Sequence, residues 1–254
     1  MPDLLAGAFS EALALDGLGW IVLTAFIAGV VRGFSGFGTA MIFIPVAAKF
    51  LEPIWVLIAL VIMDILGPIP NLPRAWRDGR PADVGVMALA TLVALPVGIA
   101  ILVAVPAEVF RYVVSGIAVL VPVLLVAGFR YRGEMTRRLL ASVGAVAGVT
   151  GGAAGLPGPP VILLYASSTR PVAEIRGNIM LYLVAFDIIL LGWLGLQGRL
   201  EMTPIALGLL LFAPIVAGNI LGAAVFDPAR ERMYRGVAYA VVISAALTSL
   251  PIWE

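Results

Sequence analysis

Residues 28–38 read AGVVRGFSGFG, and residues 147–157 read AGVTGGAAGLP. The two stretches align without a gap at a separation of 119 residues, and they share an alanine and three glycines at matching positions. Each stretch interrupts an apolar segment with a cluster of glycines. An internal match of this kind indicates a chain built from two copies of one structural unit.

The composition is that of a membrane protein. Of the 254 residues, 62% are hydrophobic and 12% are charged, and the mean hydropathy is +1.09. A soluble domain of this length needs a more polar surface. The chain has no cysteine and no histidine, so we expect no disulfide, no thiol nucleophile, no cofactor and none of the usual zinc or copper sites. The net charge of +1 gives no indication of nucleic-acid binding.

Apolar runs separated by proline, glycine and arginine predict an all-α, polytopic helical protein. Six segments approach the length of about 20 residues that a spanning helix needs. Four are shorter and form two pairs, 17–31 with 38–51 and 138–149 with 157–168, each pair joined by a glycine-rich break. The ten predicted segments are 17–31, 38–51, 53–72, 83–104, 107–128, 138–149, 157–168, 176–197, 202–224 and 231–252.

Arginine placement predicts the orientation. Twelve of the sixteen basic residues fall in the four connections 73–83, 129–138, 170–176 and 227–235. Because positive charge favours the cytoplasmic side, we expect these connections inside the cell and both termini outside. The acidic N-terminal stretch lacks a basic n-region, so we expect no cleavable signal peptide.

Further matching landmarks follow the breaks, including Asp64 with Asp187 and Pro96 with Pro214. They predict two halves of five segments each, residues 1–128 and residues 129–254, within one integral membrane domain. The first half begins outside and the second inside, so the repeats are expected to be inverted. Inverted repeats are typical of secondary transporters, whose substrate sites lie near the midplane at the repeat interface.

The breaks suggest an anion site. A helix that begins at a glycine-rich turn has N–H groups without intrahelical partners and a partial positive charge. If two such helix ends meet near the midplane, they can hold an anion, and an arginine adds a charge and a planar fork. The predicted substrate-binding residues are Arg32, Gly33, Ser35, Gly36, Phe37, Gly38, Thr39, Gly152, Gly155, Leu156, Gly158, Tyr165 and Asn178.

Two simpler interpretations apply to the same residues. Glycines at this spacing also allow membrane helices to pack closely. Arg32 could extend its charged group to the membrane interface from a short helix.

Two acids lie within apolar segments, Asp64 and Asp187. Ionisable groups inside a membrane usually face a cavity or a partner, so we predict that both couple transport to protons. The alternative is a structural role, as a neutral acid or as the partner of an arginine. Arg176 is predicted to set topology or to act in gating.

The two breaks and the segments that follow them, TAMIFIP and GPPVILLY, resemble the TauE/SafE, or sulfite exporter, family. The resemblance covers nearly the whole chain. It implies a bacterial inner-membrane permease that moves small sulfur-containing anions such as sulfite, sulfonates or sulfoacetate, either proton-linked or by facilitated transport. The chain departs from many members at Arg32, Phe34 and Phe37, where they carry more glycine, and at 58–60, where they carry a Thr-Ser pair.

We therefore predict a secondary carrier for a small anionic solute in the lipid bilayer. An anion channel-like pore, or a permease for a carboxylate, is the alternative. A membrane-embedded enzyme is not expected, because the apolar segments contain no pair of acids at helical spacing and the chain lacks cysteine and histidine. A homodimer is consistent with the sequence, although no feature specifies it.

Overall fold

The computed structural model describes residues 2–35, 38–65, 67–127, 135–166, 168, 170–225, 227 and 231–250. These residues form twelve α-helices and one short 3-10 helix, with no strand among them, which confirms the all-α prediction. In chain order the elements are α1 (Pro2–Leu13), α2 (Leu18–Ser35), α3 (Thr39–Ala47), α4 (Pro53–Ile65), the 3-10 helix (Ile69–Asn71), α5 (Leu72–Asp78), α6 (Pro81–Ala104), α7 (Ala107–Val126), α8 (Arg137–Ala154), α9 (Gly158–Ala166), α10 (Val172–Leu196), α11 (Met202–Ala224) and α12 (Glu231–Thr248).

Among the described residues four helices are long and apolar enough to cross a membrane by length and composition: α6, α7, α10 and α11. A fifth crossing is counted if the bent pair Ala6–Leu13 and Leu18–Phe34, whose axes differ by 91°, is one span. The chain is thus a multi-pass membrane protein, as its composition predicts.

Three elements differ from the predicted segments. The segment 53–72 is not one helix, because α4 ends at Ile65 ahead of Gly67, Pro68 and Pro70. Prolines remove backbone donors and stop a helix. The helix α8 continues to Ala154 through its glycines, beyond the predicted end at 149. The N-terminal helix α1 precedes all ten predicted segments.

The chain forms two compact units. The first unit comprises residues 1–66, 106–122 and 200–254, and the second comprises residues 67–105 and 123–199. Each unit therefore takes helices from both parts of the sequence. The division into repeats at residue 128 is a different division of the chain, and it stays a prediction.

In the first unit α2 packs against α11 along glycines of both helices. A Cβ on Gly29 or Gly33 would collide with the α11 backbone, and a Cβ on Gly218 or Gly222 would collide with the α2 backbone. Small residues let membrane helices approach until backbone meets backbone. These glycines therefore set the separation of the two helices.

The second unit repeats this arrangement with α6 and α8. A Cβ on Gly152 would lie 2.7 Å from the Leu95 carbonyl oxygen and 2.9 Å from Gly98 Cα. Gly33 meets Gly222 in the first unit as Gly152 meets Gly98 in the second. Pro96 and Pro214, which were matched in the sequence, occupy different positions relative to these glycines. Pro96 is two residues before Gly98, whereas Pro214 is eight residues before Gly222.

Each unit also contains polar links between helices. In the first, the Arg111 guanidinium donates from Nε and Nη2 to the Ser249 carbonyl oxygen, at 3.1 and 2.9 Å. The Lys49 ammonium donates to the Thr248 carbonyl oxygen at 2.7 Å. Cations at a helix C-terminus satisfy its last carbonyls and complement its dipole, so both fix the end of α12.

In the second unit, the Thr91 hydroxyl of α6 donates to the Gly144 carbonyl oxygen of α8 at 2.8 Å. The same hydroxyl is hydrogen-bonded to the Tyr182 hydroxyl of α10 at 2.8 Å. All three polar groups are thereby satisfied inside the packed unit, as buried polar groups require.

Candidate anion site and a second polar cluster

The first break lies in the first unit, between α2 and α3. Gly38 precedes α3 with φ of 105°, a left-handed conformation that glycine adopts most readily. The first intrahelical bond of α3 runs from the Ile42 N–H to the Gly38 carbonyl, so the N–H groups of Thr39, Ala40 and Met41 precede the regular pattern. The N-cap residue, Gly38, has no side chain that could cap them.

Arg32 lies in the last turn of α2 and donates from Nη1 to the Asp64 carboxylate in the last turn of α4. The same nitrogen lies 3.4 Å from the Thr39 hydroxyl at the start of α3. The side chains of Arg32 and Asp64 are 26% and 24% exposed, and Thr39 is buried. The structure thus brings a predicted binding residue and a predicted coupling residue into direct contact.

The other predicted residues of this break divide into three groups. Gly33 lies in the α2–α11 crossing, where it has a packing role. Ser35 is the last residue of α2, and Gly36 and Phe37 lie outside the described residues. The neighbouring Phe34 ring contacts the Tyr234 ring at a centroid distance of 5.3 Å.

The second break lies in the second unit, between α8 and α9. Gly155 ends α8 with φ of 69°, and its N–H donates to the Gly151 carbonyl oxygen at 2.8 Å. Leu156 follows and is buried. Gly155 is therefore a glycine C-cap of α8, the helix before the second break. In the first break the left-handed glycine, Gly38, instead lies at the N-terminus of α3, the helix after the break.

The two breaks also offer different groups to an anion. The helix α9 begins with Gly158, Pro159 and Pro160, and proline has no N–H to donate. The residue that aligns with Arg32 is Gly151, where a Cβ would collide with the Phe186 ring. Of the two aligned stretches, only the first contains a charged side chain.

Tyr165 and Asn178 lie in another part of the second unit. Tyr165 is seven residues beyond Gly158 on α9, about 10 Å along the helix axis. Asn178 on α10 is fully buried, and its side-chain oxygen accepts from the Arg80 N–H at 2.6 Å. Within the described part of the chain neither the Tyr165 hydroxyl nor Asn178 Nδ2 makes a hydrogen bond of regular geometry, although the two side chains lie close enough to interact with each other.

An ion network surrounds these two residues. Arg170 Nη1 donates to Asp83 at 2.7 Å and to Glu174 at 2.8 Å, and Arg80 Nε lies 3.8 Å from Glu174. Tyr165 is within electrostatic reach of Arg170, Asp83 and Glu174. Burial opposes the charge on Arg170, but the hydrogen bond and charge of Asp83 and the charge of Glu174 outweigh it and raise its pKa. We call these residues, with Tyr165 and Asn178, the α9–α10 cluster.

The remaining predicted residues are Asp187 and Arg176, both on α10. Asp187 is half-buried in the middle of α10, nine residues before the end of that helix. Asp64 lies one residue before the end of α4. The two aspartates align in sequence but occupy different helical positions. Arg176 is exposed near the start of α10.

Sequence reasoning missed the α9–α10 cluster as a unit. Arg80 and Arg170 were interpreted as topology charges, and Asp83 was not singled out. The four-residue spacing of Arg170 and Glu174 is a signal of a helical ion pair. The contact between Asp83 and Arg170 joins residues far apart in the sequence, and nothing local predicts it.

Long apolar helices, broken helices and an ion pair between helices are typical of multi-pass membrane transporters. A family model described as sulfite exporter TauE/SafE matches residues 21–249. The chain belongs to the TauE/SafE sulfite exporter family, as its sequence motifs predict, and that family consists of membrane transporters. No curated protein and no solved structure matches the chain at a significant level.

Proposed function

We propose that this chain is a secondary carrier for small sulfur-containing oxyanions such as sulfite, sulfonates or sulfoacetate, in the bacterial inner membrane. The observation that supports this best is the position of Arg32. A guanidinium lies beside the first turn of α3, within a membrane protein of the sulfite exporter family. A permanent positive charge in that place suits a negatively charged solute.

The groups at the first break match the chemistry of an oxyanion. The guanidinium fork of Arg32 can donate two parallel hydrogen bonds to a pair of oxygens. The Thr39 hydroxyl and the first N–H groups of α3 add donors and a favourable dipole. Gly38 has no side chain between the backbone and a ligand.

We also propose that the second break takes part in transport, as a region of the second unit. In this proposal the two repeats are inverted and both termini are periplasmic. The second break contributes less charge, because α9 begins with two prolines and has glycine in place of the arginine. We propose that Tyr165 and Asn178 serve the inner end of the transport pathway.

The proposal is tested by counterflow in proteoliposomes containing the purified protein. We expect saturable exchange of labelled sulfite against internal sulfite or methanesulfonate, and weaker exchange against acetate. Arg32→Gln should reduce the exchange at least tenfold, because one charged hydrogen bond contributes about 1.5–3 kcal/mol. Arg74→Gln is the matched control, since Arg74 is an exposed arginine that also pairs with an aspartate.

Three results would count against this function. The first is no exchange of any sulfur oxyanion by the unmodified protein. The second is equal activity of Arg32→Gln and Arg74→Gln. The third is non-saturating flux with unitary currents in planar bilayers, which would support a channel-like pore.

A further inference from the structure

The Arg32–Asp64 pair holds an anion-binding group and an acid in one contact. Resting on the function proposed above, we propose that this pair couples each transported anion to one proton. The solute and the Asp64 carboxylate compete for the same guanidinium, so that the anion binds when Asp64 takes up a proton.

The contact with Asp64 sets the carboxylate and the anion in competition for the charge of Arg32. Arg32 Nη1 donates to Asp64 and also lies 3.4 Å from the Thr39 hydroxyl. With Asp64 ionised, the arginine charge is already neutralised by a neighbour in direct contact. An anion that arrives then meets a carboxylate on the group it needs, and like charges at short distance repel.

The charges at this site favour two states. In the empty state Arg32 is positive, Asp64 is negative and the net charge is zero. In the loaded state a proton is bonded to an Asp64 carboxylate oxygen, and the anion has replaced Asp64 as the partner of the guanidinium. With a monoanion the net charge of the site is again zero. The two intermediate states carry a net charge, which is unfavourable away from water. Proton and anion therefore bind together.

Few other ionisable groups surround the pair. The helix α4 packs against α3 and α11, and neither of those sequences contains an ionisable residue. The helix α2 contributes Arg32 alone. The helix α12, which packs against α2 and α3, contains Glu231, Arg232, Tyr234, Arg235 and Tyr239. The acid in contact with Arg32 is Asp64, which makes it the proton acceptor of the proposal.

The empty carrier also depends on the pair. Without the Asp64 charge, the unloaded site would contain an uncompensated guanidinium, and its return across the membrane would carry net charge. Asp64→Asn should therefore keep exchange of anion for anion, which needs only the loaded state. It should lose accumulation driven by a pH gradient, which needs the empty carrier to return.

Methanesulfonate is the best probe, because a sulfonate stays a monoanion throughout the usable pH range. We expect the wild-type dissociation constant to rise by up to about tenfold per pH unit on the alkaline side, the slope for one linked proton. Asp64→Asn should bind with an affinity that does not change with pH. Asp78→Asn is the control, because Asp78 forms an exposed pair with Arg74, and it should retain the wild-type slope.

Proton uptake tests the idea on the unmodified protein. Methanesulfonate added to the wild-type protein in weak buffer should cause uptake of about one proton per anion bound. No proton uptake with clear binding would overturn the coupling and leave the proposed carrier function intact. The coupling would also be overturned if Asp64→Asn kept the wild-type pH dependence of the dissociation constant. Loss of methanesulfonate binding by a folded Asp64→Asn protein would overturn it as well. Absence of any binding or counterflow by the wild type would reject the carrier function and the coupling together.

Discussion

Gly33 of α2 and Gly222 of α11 face each other in the first unit, so closely that a Cβ on Gly33 would lie 2.9 Å from Gly222 Cα. Gly152 of α8 and Gly98 of α6 have the same relationship in the second unit. In each pair, one glycine belongs to a helix that precedes a break, and the other belongs to a long spanning helix. The glycines that mark the internal repeat are therefore also packing residues.

The first prediction concerns these crossings. Gly33→Ala and Gly152→Ala should each destabilise the protein by about 1–3 kcal/mol, because the added methyl group forces two backbones apart. Thermal unfolding in detergent measures the effect. Gly85→Ala is the control, because a Cβ on Gly85 meets no atom within 4 Å, and it should leave the melting temperature unchanged or raise it. Equal effects at all three positions would contradict the packing role.

The second prediction compares one glycine from each break. Gly38→Ala should destabilise by about 1–2 kcal/mol, because φ of 105° is unfavourable for alanine. Gly158→Ala should be nearly neutral for stability, since its Cβ would lie at ordinary contact distance, 3.7 Å, from Ile162. Unfolding midpoints of the two variants provide the comparison. A larger loss at Gly158 would show that the second break is more constrained than its geometry indicates.

The third prediction concerns the α9–α10 cluster. Glu174→Gln alone should have a small effect, because Asp83 still holds Arg170. The double change Asp83→Asn with Glu174→Gln should cost more than the sum of the single changes, since it leaves a mostly buried guanidinium without a carboxylate. A double-mutant cycle on unfolding free energies measures the coupling. Additive effects would mean that solvent already neutralises Arg170.

The fourth prediction uses the absence of cysteine. Single cysteines can be introduced at Asp16 and Asp78, both exposed, without any background thiol. The positive-inside rule places residue 16 in the periplasm and residue 78 in the cytoplasm. A membrane-impermeant maleimide applied to intact cells should label the cysteine at 16 and spare the one at 78. The reverse pattern would invert the topology and with it the assigned faces.

The sequence was informative where a local physical rule applies. Apolar length and glycine clusters predicted the helical class and the positions of α2, α3, α8 and α9, because helix formation and glycine breaks depend on nearby residues. The end of α4 at Ile65 was not predicted, because the segment was defined by its number of apolar residues. Gly67 and Pro68, which end the helix, were not taken into account.

The site was only partly accessible from sequence. Arg32 and Asp64 were each singled out as charges in apolar segments, but their pairing depends on how α2 and α4 pack. Gly33 is predicted to bind the ligand, and it also lies in a helix crossing. Glycine spacing alone does not distinguish these two roles. The ion pair of Asp83 with Arg170 required the tertiary structure of the second unit.

The location of the bound anion is the most direct test of the account. Selenite has the charge and shape of sulfite, and its selenium gives an anomalous diffraction signal. In crystals of the protein grown with selenite, we predict an anomalous peak within hydrogen-bond distance of the Arg32 guanidinium and the Thr39 hydroxyl. A selenium site elsewhere, in a protein shown to exchange selenite, would contradict the central claim that the first break holds the transported anion.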